Sequence, residues 1–197
     1  FESTYIAVGA DSSGNKNHLK PTNLSHDIVP DIPTNNWSVM SPIDSAVYSS
    51  SVAFSEGNLG INSSGTYNKT ASTFEMPSGK WYAEVRCSAN NAMVGVCRPQ
   101  DIVVSAAAAG YGAAGHVVYA ANGRVYNGGT AIGATLGGGG IYQLAVDVDN
   151  EKIWFGRNGT WSGTVDSSGG FDLDSGTQVF VYSYRDLVHW NFGQDGT

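Results

Sequence analysis

Residues 79–87 read GKWYAEVRC, and apolar and polar side chains alternate along this stretch. One set of alternating positions is apolar and consists of Trp81, Ala83, Val85 and Cys87. The other set consists of Tyr82, Glu84 and Arg86. Successive side chains of a β-strand point to opposite faces, so a period of two is typical of a half-buried antiparallel strand. The stretch therefore predicts a sheet with one face in a core and the other in solvent.

Similar alternation recurs along the chain from about residue 46 onward. Residues 141–149, IYQLAVDVD, are followed closely by KIWFG, and the polar residues between them predict a tight hairpin. Further strand-like stretches are AVYSSSVAF, TYNKTASTF, HVVYA, GRVY, QVFVYSY and LVHWNFG. Roughly ten short strands separated by Gly, Asn and Ser turns predict an all-β sandwich of antiparallel sheets.

The composition supports an all-β fold. Charged residues make up 14% of the chain, against about 25% in an average soluble domain. The chain contains 26 glycines among 197 residues, and its polar positions are rich in Ser, Thr and Asn. These residues favour turns and sheet surfaces over long solvated helices. A hydrophobic fraction of 41% argues against a disordered chain.

The charge and the apolar patterning exclude two classes of partner. A net charge of −7, with ten scattered Lys and Arg residues, would repel a phosphate backbone, so we predict no nucleic-acid partner. No run of about 18 apolar residues occurs, so we predict no membrane insertion. Residue 1 is Phe rather than Met, and we therefore expect a processed product or a segment of a longer chain.

The two cysteines lie ten residues apart, Cys87 in WYAEVRC and Cys97 in MVGVC. We interpret these stretches as the two strands of a hairpin, in which Cys97 lies about three positions beyond Cys87 along the partner strand. This register is a poor geometry for a disulfide, and we predict free, buried thiols. Because no CxxC motif or Cys/His cluster occurs, we predict no metal site.

The chain divides by composition into two parts. Residues 1–45 are rich in Asn, Ser, Asp and Pro, and we interpret them as an extended arm. Prolines that interrupt any long element in this part are Pro21, Pro30, Pro33 and Pro42. Residues 46–197 carry the strand-like alternation and are predicted to form the sandwich domain.

Five pieces of the chain, taken in order, resemble the SPRY domain: GKWYAEV, VGVC, ANGRVYNGG, LAVDVDNEKIWFGRNG and VHWNFG. In that family a G-K-x-Y-[WY]-E-V strand precedes a V-G-[VI] strand. An acidic L-D-x-D hairpin ending in F-x-[KR]-N-G and a terminal N-F-G follow. The resemblance spans Gly79 to Gly193 and implies a SPRY-like bent β-sandwich of two antiparallel sheets, here with an extended N-terminal arm.

Residues 17–45, NHLKPTNLSHDIVPDIPTNNWSVMSPIDS, are similar to the lead-in found before SPRY modules in tail-fibre and other virion proteins of bacteriophages. KIWFGRNGTW and NFGQ resemble the same subgroup. The resemblance implies a non-enzymatic module of a tail fibre or capsid-attached fibre, located at the surface of the phage particle and used for host attachment. It also implies a homo-oligomer without a cofactor. The implied partners are a host-surface glycan or protein and other virion proteins.

Two other functions are weighed against this one. The first is an intracellular SPRY adaptor that binds a short peptide, and the phage-like arm argues against it. The second is a glycan-cleaving enzyme on a lectin-like sandwich. That enzyme would need two carboxylates facing each other across a cleft, and no E-x-D-x-x-E strand or G-x-S-x-G motif occurs. We therefore predict no enzymatic activity.

Two motifs have a structural interpretation. Residues 110–115 spell GYGAAG, but a strand and turn follow where a dinucleotide site needs a helix, so we interpret them as a pliable loop. Asp147, Asp149 and Glu151 lack the residue spacing of a calcium loop. We interpret these three as the acidic, solvated turn of a hairpin.

Partner contacts are predicted in the longest irregular stretches, residues 98–115 and 127–140. Shortening the Gly137–Gly140 run within them is expected to weaken host-cell adsorption and to leave thermal unfolding nearly unchanged. The candidate binding-loop residues are Tyr111, His116, Tyr126 and Trp161. Tyr111 is the preferred anchor, although such aromatic side chains could instead cap the ends of the sandwich core. The residues predicted to be core are Val85, Val96, Leu144, Val146, Phe155 and Phe192.

Overall fold

The computed structural model describes residues 11, 13–18, 36–45, 52–64, 68–88, 91–102, 115–167 and 169–194. In chain order its strands are β1 Val52–Ser55, β2 Gly60–Ser63, β3 Asn68–Ala71, β4 Lys80–Cys87, β5 Ala92–Cys97, β6 His116–Tyr119, β7 Arg124–Asn127, β8 Thr130–Thr135, β9 Gly140–Asp147, β10 Lys152–Arg157, β11 Thr160–Trp161, β12 Phe171–Asp172, β13 Val179–Tyr184 and β14 Val188–Asn191. The described helical segments are short: α1, Pro42–Ser45, and a 3₁₀ turn, Pro99–Asp101.

These strands form two antiparallel sheets. The larger has eight strands in the order β1-β2-β14-β4-β9-β10-β11, with β12 also paired to β10. The smaller has six strands in the order β3-β13-β5-β6-β7-β8. The prediction of an all-β sandwich of two antiparallel sheets is confirmed.

The pairing of β4 with β9 lies at the centre of the larger sheet. It runs through eight residue pairs, from Lys80 opposite Asp147 to Cys87 opposite Gly140. β9 also pairs with β10, and a tight turn joins them as the sequence predicts. Asp147 braces this turn, because its carboxylate accepts hydrogen bonds from the backbone N–H of Asn150 at 3.0 Å and from its Nδ2 at 2.8 Å.

The predicted hairpin between the two cysteine-bearing strands is wrong. β4 lies in the larger sheet, whereas β5 lies in the smaller one between β13 and β6. Every residue of β5 is buried, while β4 alternates between buried and exposed positions, so the two strands suit different neighbours. Cys87 and Cys97 are nevertheless free and buried, as predicted.

The core lies between the two sheets. Five of the six predicted core residues are buried there, with exposed fractions between 0% and 2%: Val85, Val96, Leu144, Val146 and Phe155. Phe192 is only partly buried. It lies just beyond β14 and stacks on Trp190 with ring centroids 5.2 Å apart. Phe192 is less buried than the other five residues because it lies at the end of the sandwich.

Residues 36–41, near the end of the predicted arm, run along the sandwich. The backbone N–H of Thr73 donates to the carbonyl of Val39 at 2.7 Å. Nε2 of Gln194 donates to the carbonyl of Ser38 at 2.6 Å. Met40 is fully buried. This segment therefore belongs structurally to the sandwich, while the arm boundary at residue 45 stays a prediction.

The contacts of Gly137–Gly140 argue against the expectation that shortening this run leaves thermal unfolding nearly unchanged. The Arg157 guanidinium donates hydrogen bonds to the carbonyls of Leu136, Gly138 and Gly139. A Cβ on Gly138 would lie 2.5 Å from the carbonyl oxygen of Ala121, so the backbones pack closely there. Part of the predicted 127–140 loop is also a strand, β8.

We expect Phe155→Ala to lower the free energy of unfolding by about 3–5 kcal/mol, because the substitution leaves a cavity in the core. Phe155 is fully buried, with its ring 6.1 Å from that of Phe171. Ile141→Ala, on the outer face of the same sheet and 42% exposed, is the matched control. It should change stability by no more than about 0.5 kcal/mol in denaturant unfolding. Equal losses in the two variants would contradict the assignment of faces.

Candidate binding surface

The outer face of the eight-stranded sheet exposes an aromatic residue on a central strand. Trp81, Ala83, Val85 and Cys87 of β4 face the core, and the alternate residues face outward. Tyr82 is consequently 49% exposed, although it lies on the strand that pairs with both β14 and β9. A large aromatic side chain at such a position offers contact area without supporting the core.

Four outward-facing residues form what we call the aromatic platform: Tyr82, Glu84, Gln143 and Trp161. The hydroxyl of Tyr82 donates to Oε1 of Glu84 at 2.5 Å and accepts from Nε2 of Gln143 at 3.2 Å. Oε1 of Gln143 in turn accepts from the backbone N–H of Gly159 at 2.7 Å. These bonds connect neighbouring strands and restrict the rotamers of the polar side chains, so little ordering remains for a ligand to impose.

Trp161 completes the platform from the edge strand β11. Its ring lies 6.4 Å from that of Tyr82 between centroids, with the planes inclined at 50°. Gly156 pairs with Trp161, and a Cβ at Gly156 would lie 3.0 Å from the indole Cδ2. Glycine at this position therefore lets the indole lie close to the sheet.

The environment of Tyr82 moves the pKa of its hydroxyl further above neutral pH. Burial raises the pKa of Tyr82 to about 12, and the hydrogen bond to Glu84 adds to the shift, while the hydrogen bond from Gln143 opposes it. The platform therefore presents a neutral phenol that donates toward a carboxylate. It does not present a phenolate.

An aromatic cavity opens beside the platform at one end of the sandwich, and we call it the end pocket. It has a volume of about 220 Å³. Its lining residues are Asn36, Trp37, Ser38, Phe74, Met76, Trp81, Tyr82, Phe180 and Phe192. Tyr82 thus belongs to both features and joins them into one surface.

The structure brings together only part of the predicted binding loop. Tyr111 lies outside the described residues. His116 is in β6 and 2% exposed, and burial lowers its pKa. Tyr126 is in β7, 8% exposed, and packs with Val117. The stretches HVVYA and GRVY that carry them are strands, as predicted, but pairing within the smaller sheet leaves His116 and Tyr126 buried, so their prediction as binding-loop residues is wrong. Trp161 lies on the other sheet.

Sequence reasoning missed Tyr82, Gln143 and the end pocket. The signal for Tyr82 was present, since an aromatic residue occupied the polar face of β4. The end pocket had no local signal, because residues 36–38, 74–82, 180 and 192 are far apart in the chain. We call residues 36–41 the strap. The walls of the pocket meet only because the strap packs against the end of the sandwich.

The sequence predicts that the acidic hairpin turn is solvated, but one of its three acidic residues is buried. Asp147 is 3% exposed and lies 3.7 Å from Nζ of Lys80. The hydrogen bond from the Asn150 side chain lowers the pKa of Asp147. Within the described ranges, no group of three His, Cys, Asp or Glu side chains is placed to hold a metal ion. Nor does any described helix have the length and apolar character needed to cross a membrane.

Solved structures with similar folds include two SPRY domains. The SPRY domain of human HERC1 is 17% identical, with a TM-score of 0.57, and the match covers 73% of this chain and 94% of that one. The TRIM65 PSpry domain is 14% identical, with a TM-score of 0.57 and coverage of 81% and 93%. Stonustoxin is 11% identical, with a TM-score of 0.54, over 79% of this chain and 27% of the toxin.

These similarities establish a SPRY-like fold. No protein-family model matches the sequence, and no curated protein matches it. The identities are too low to carry ligands from those proteins to this chain, so its function has to be argued from its own surface.

Glu84→Gln should lower the pKa of Tyr82 from about 12 toward the ordinary value of 10, because it removes the carboxylate that favours the protonated phenol. Gln143→Ala should shift it in the opposite direction, since the amide hydrogen bond lowers it. Titration of ¹³C-labelled tyrosine rings by NMR measures both shifts of the Tyr82 pKa. A Tyr82 pKa that is unchanged in both variants would show that the hydrogen bonds to Glu84 and from Gln143 do not form.

Proposed function

We propose that this chain is a non-enzymatic module of a bacteriophage virion, part of a tail fibre or capsid-attached fibre, that displays a SPRY-like sandwich for adhesion to the host surface. The observation that carries the adhesive role is the aromatic platform. Tyr82 and Trp161 lie exposed or half-exposed on a rigid sheet, beside polar groups whose geometry is fixed by hydrogen bonds. Preorganised aromatic surfaces of this kind favour recognition.

The virion assignment is supported by the sequence of the lead-in. Residues 17–45 and the motifs KIWFGRNGTW and NFGQ are similar to phage virion proteins that carry SPRY modules. In the fold, residues 36–41 are fastened to the sandwich by hydrogen bonds to Thr73 and Gln194. A lead-in attached in this way would transmit force from a fibre directly to the binding domain.

The mode of action follows from the shape of the surface. The platform is open and shallow, so each copy makes a weak contact with a host-surface glycan or protein. Display of several copies on one particle, as a homo-oligomer among other virion proteins, would multiply that affinity through effective concentration. The platform offers one carboxylate, Glu84, and this group is engaged by the Tyr82 hydroxyl. This arrangement favours binding over hydrolysis.

Immunogold labelling of purified virions tests the location. Gold particles on fibres at the particle surface are expected. Absence of the chain from purified virions would reject the virion role and favour the alternative of an intracellular adaptor that binds a short peptide.

Tyr82→Ala and Trp161→Ala should each reduce binding of the full chain to host bacteria by about tenfold or more, the usual effect of losing a central aromatic contact. Thermal unfolding should change little, because both side chains lie on the outer face. Ile43→Ala is the matched control, since Ile43 is 80% exposed and lies on α1. Cell-binding assays with labelled protein measure the effect. Unchanged binding in both platform variants would refute the adhesive role of this face.

A further inference from the structure

We infer that the end pocket receives a methyl-terminated substituent of a neutral sugar whose ring stacks on Tyr82. This inference rests on the adhesive function proposed above and specifies its ligand. The shared chemistry is a pyranose that carries a small apolar group, either the methyl of an N-acetyl group or the methyl of a 6-deoxy sugar.

The walls of the end pocket are mostly apolar, and their polar residues are Asn36 and Ser38. Met76 and Phe180 are 1% and 3% exposed and form the deep part. Phe74 and Tyr82 are 38% and 49% exposed and form the rim. Ligand sites are typically mostly apolar concavities with a few placed polar groups, and this cavity of about 220 Å³ fits that description.

Several polar groups in the wall already have partners. The indole Nε1 of Trp81 donates to the carbonyl of Ser78 at 2.7 Å. The hydroxyl of Ser38 accepts from the backbone N–H of Phe74 at 3.3 Å. The Tyr82 hydroxyl is engaged with Glu84. The indole Nε1 of Trp37, another lining residue, is buried without a hydrogen-bond partner among the described residues. A hydroxyl-rich ring placed inside would replace few of its hydrogen bonds to water, so the group that enters should be largely apolar.

Tyr82 connects the pocket to the platform. Tyr82 lines the end pocket, and the centroid of its ring lies 6.4 Å from the ring centroid of Trp161. A ligand that stacks on the platform therefore reaches the pocket with its next substituent. The neighbouring side chains Glu84 and Gln143 are planar polar groups of the kind that bind sugar hydroxyls. This neighbourhood favours a sugar over the apolar side chain of a protein.

The negative charge of the chain and of the platform favours a neutral sugar over an acidic one. The chain has a net charge of −7, and Glu84 lies on the platform itself. An acidic sugar would meet repulsion at this face, whereas a neutral N-acetylated or deoxy sugar would not.

Saturation-transfer NMR with the full chain tests the inference through two matched pairs of sugars. Chitotriose and cellotriose share a backbone and differ in the acetamido groups. L-Rhamnose and L-mannose, which differ only in carrying a methyl or a hydroxymethyl group at C5, represent the 6-deoxy arm. In at least one pair the methyl-bearing sugar should bind about fourfold more tightly, the factor that burial of one methyl group confers. Its methyl protons should receive the strongest saturation.

Two variants separate the pocket from the platform. Phe74→Ala removes part of the rim and should abolish the preference for the methyl-bearing sugar, while binding of its partner sugar stays unchanged. Trp161→Ala should weaken both members of the pair equally and leave the preference intact. Circular dichroism confirms that each variant is folded.

Three results would overturn the inference: no methyl preference in either pair, a preference that persists in Phe74→Ala, or Phe74-dependent binding of phenylalaninamide but of neither sugar. If one of these occurs while Trp161→Ala still reduces binding to host bacteria, the pocket inference fails and the adhesive function stands. If Trp161→Ala also leaves cell binding unchanged, the adhesive function fails as well.

Discussion

The register between β4 and β9 determines which side chains of the larger sheet face the core. It sets Tyr82 opposite Ala145 and Ala83 opposite Leu144, so that one face of both strands is buried and the other is open. A shift by one residue would exchange the two faces and bring Tyr82 into the core. The burial of Leu144 and Phe155 therefore stabilises the fold and fixes which side chains reach a ligand.

Local alternation was enough to predict the faces of β4 and the hairpin of β9 and β10, because both depend on neighbouring residues. Which strands pair with one another, however, depends on contacts between distant parts of the chain. β5 was assigned to β4 because they are adjacent in sequence, yet its burial on both faces suits the interior of the smaller sheet. His116 and Tyr126 lie in the strand-like stretches HVVYA and GRVY and were predicted as exposed binding residues, but pairing between β6 and β7 buries both.

The proposed binding surface also combines a residue that its local sequence predicted with residues that only long-range contacts bring together. Trp161 was predicted from its position beside a turn, but its partner Tyr82 comes from a strand nearly 80 residues earlier in the chain. The end pocket depends on a strap at residues 36–41, whose carbonyls accept hydrogen bonds from Thr73 and Gln194. Gly193, with φ of 108°, permits close packing of Trp37 on the final turn, since a Cβ there would overlap the indole. Such long-range contacts leave no periodic signal.

In the proposed function, the outer face of the eight-stranded sheet is the binding face. Amide chemical-shift mapping of the isotope-labelled full chain, titrated with surface polysaccharide from host bacteria, tests it most directly. We expect the largest shifts at Tyr82, Gln143 and Gly159, the residues of the platform and its hydrogen-bonded turn. Shifts confined to the smaller sheet, for example around the exposed Arg124 of β7, would contradict it.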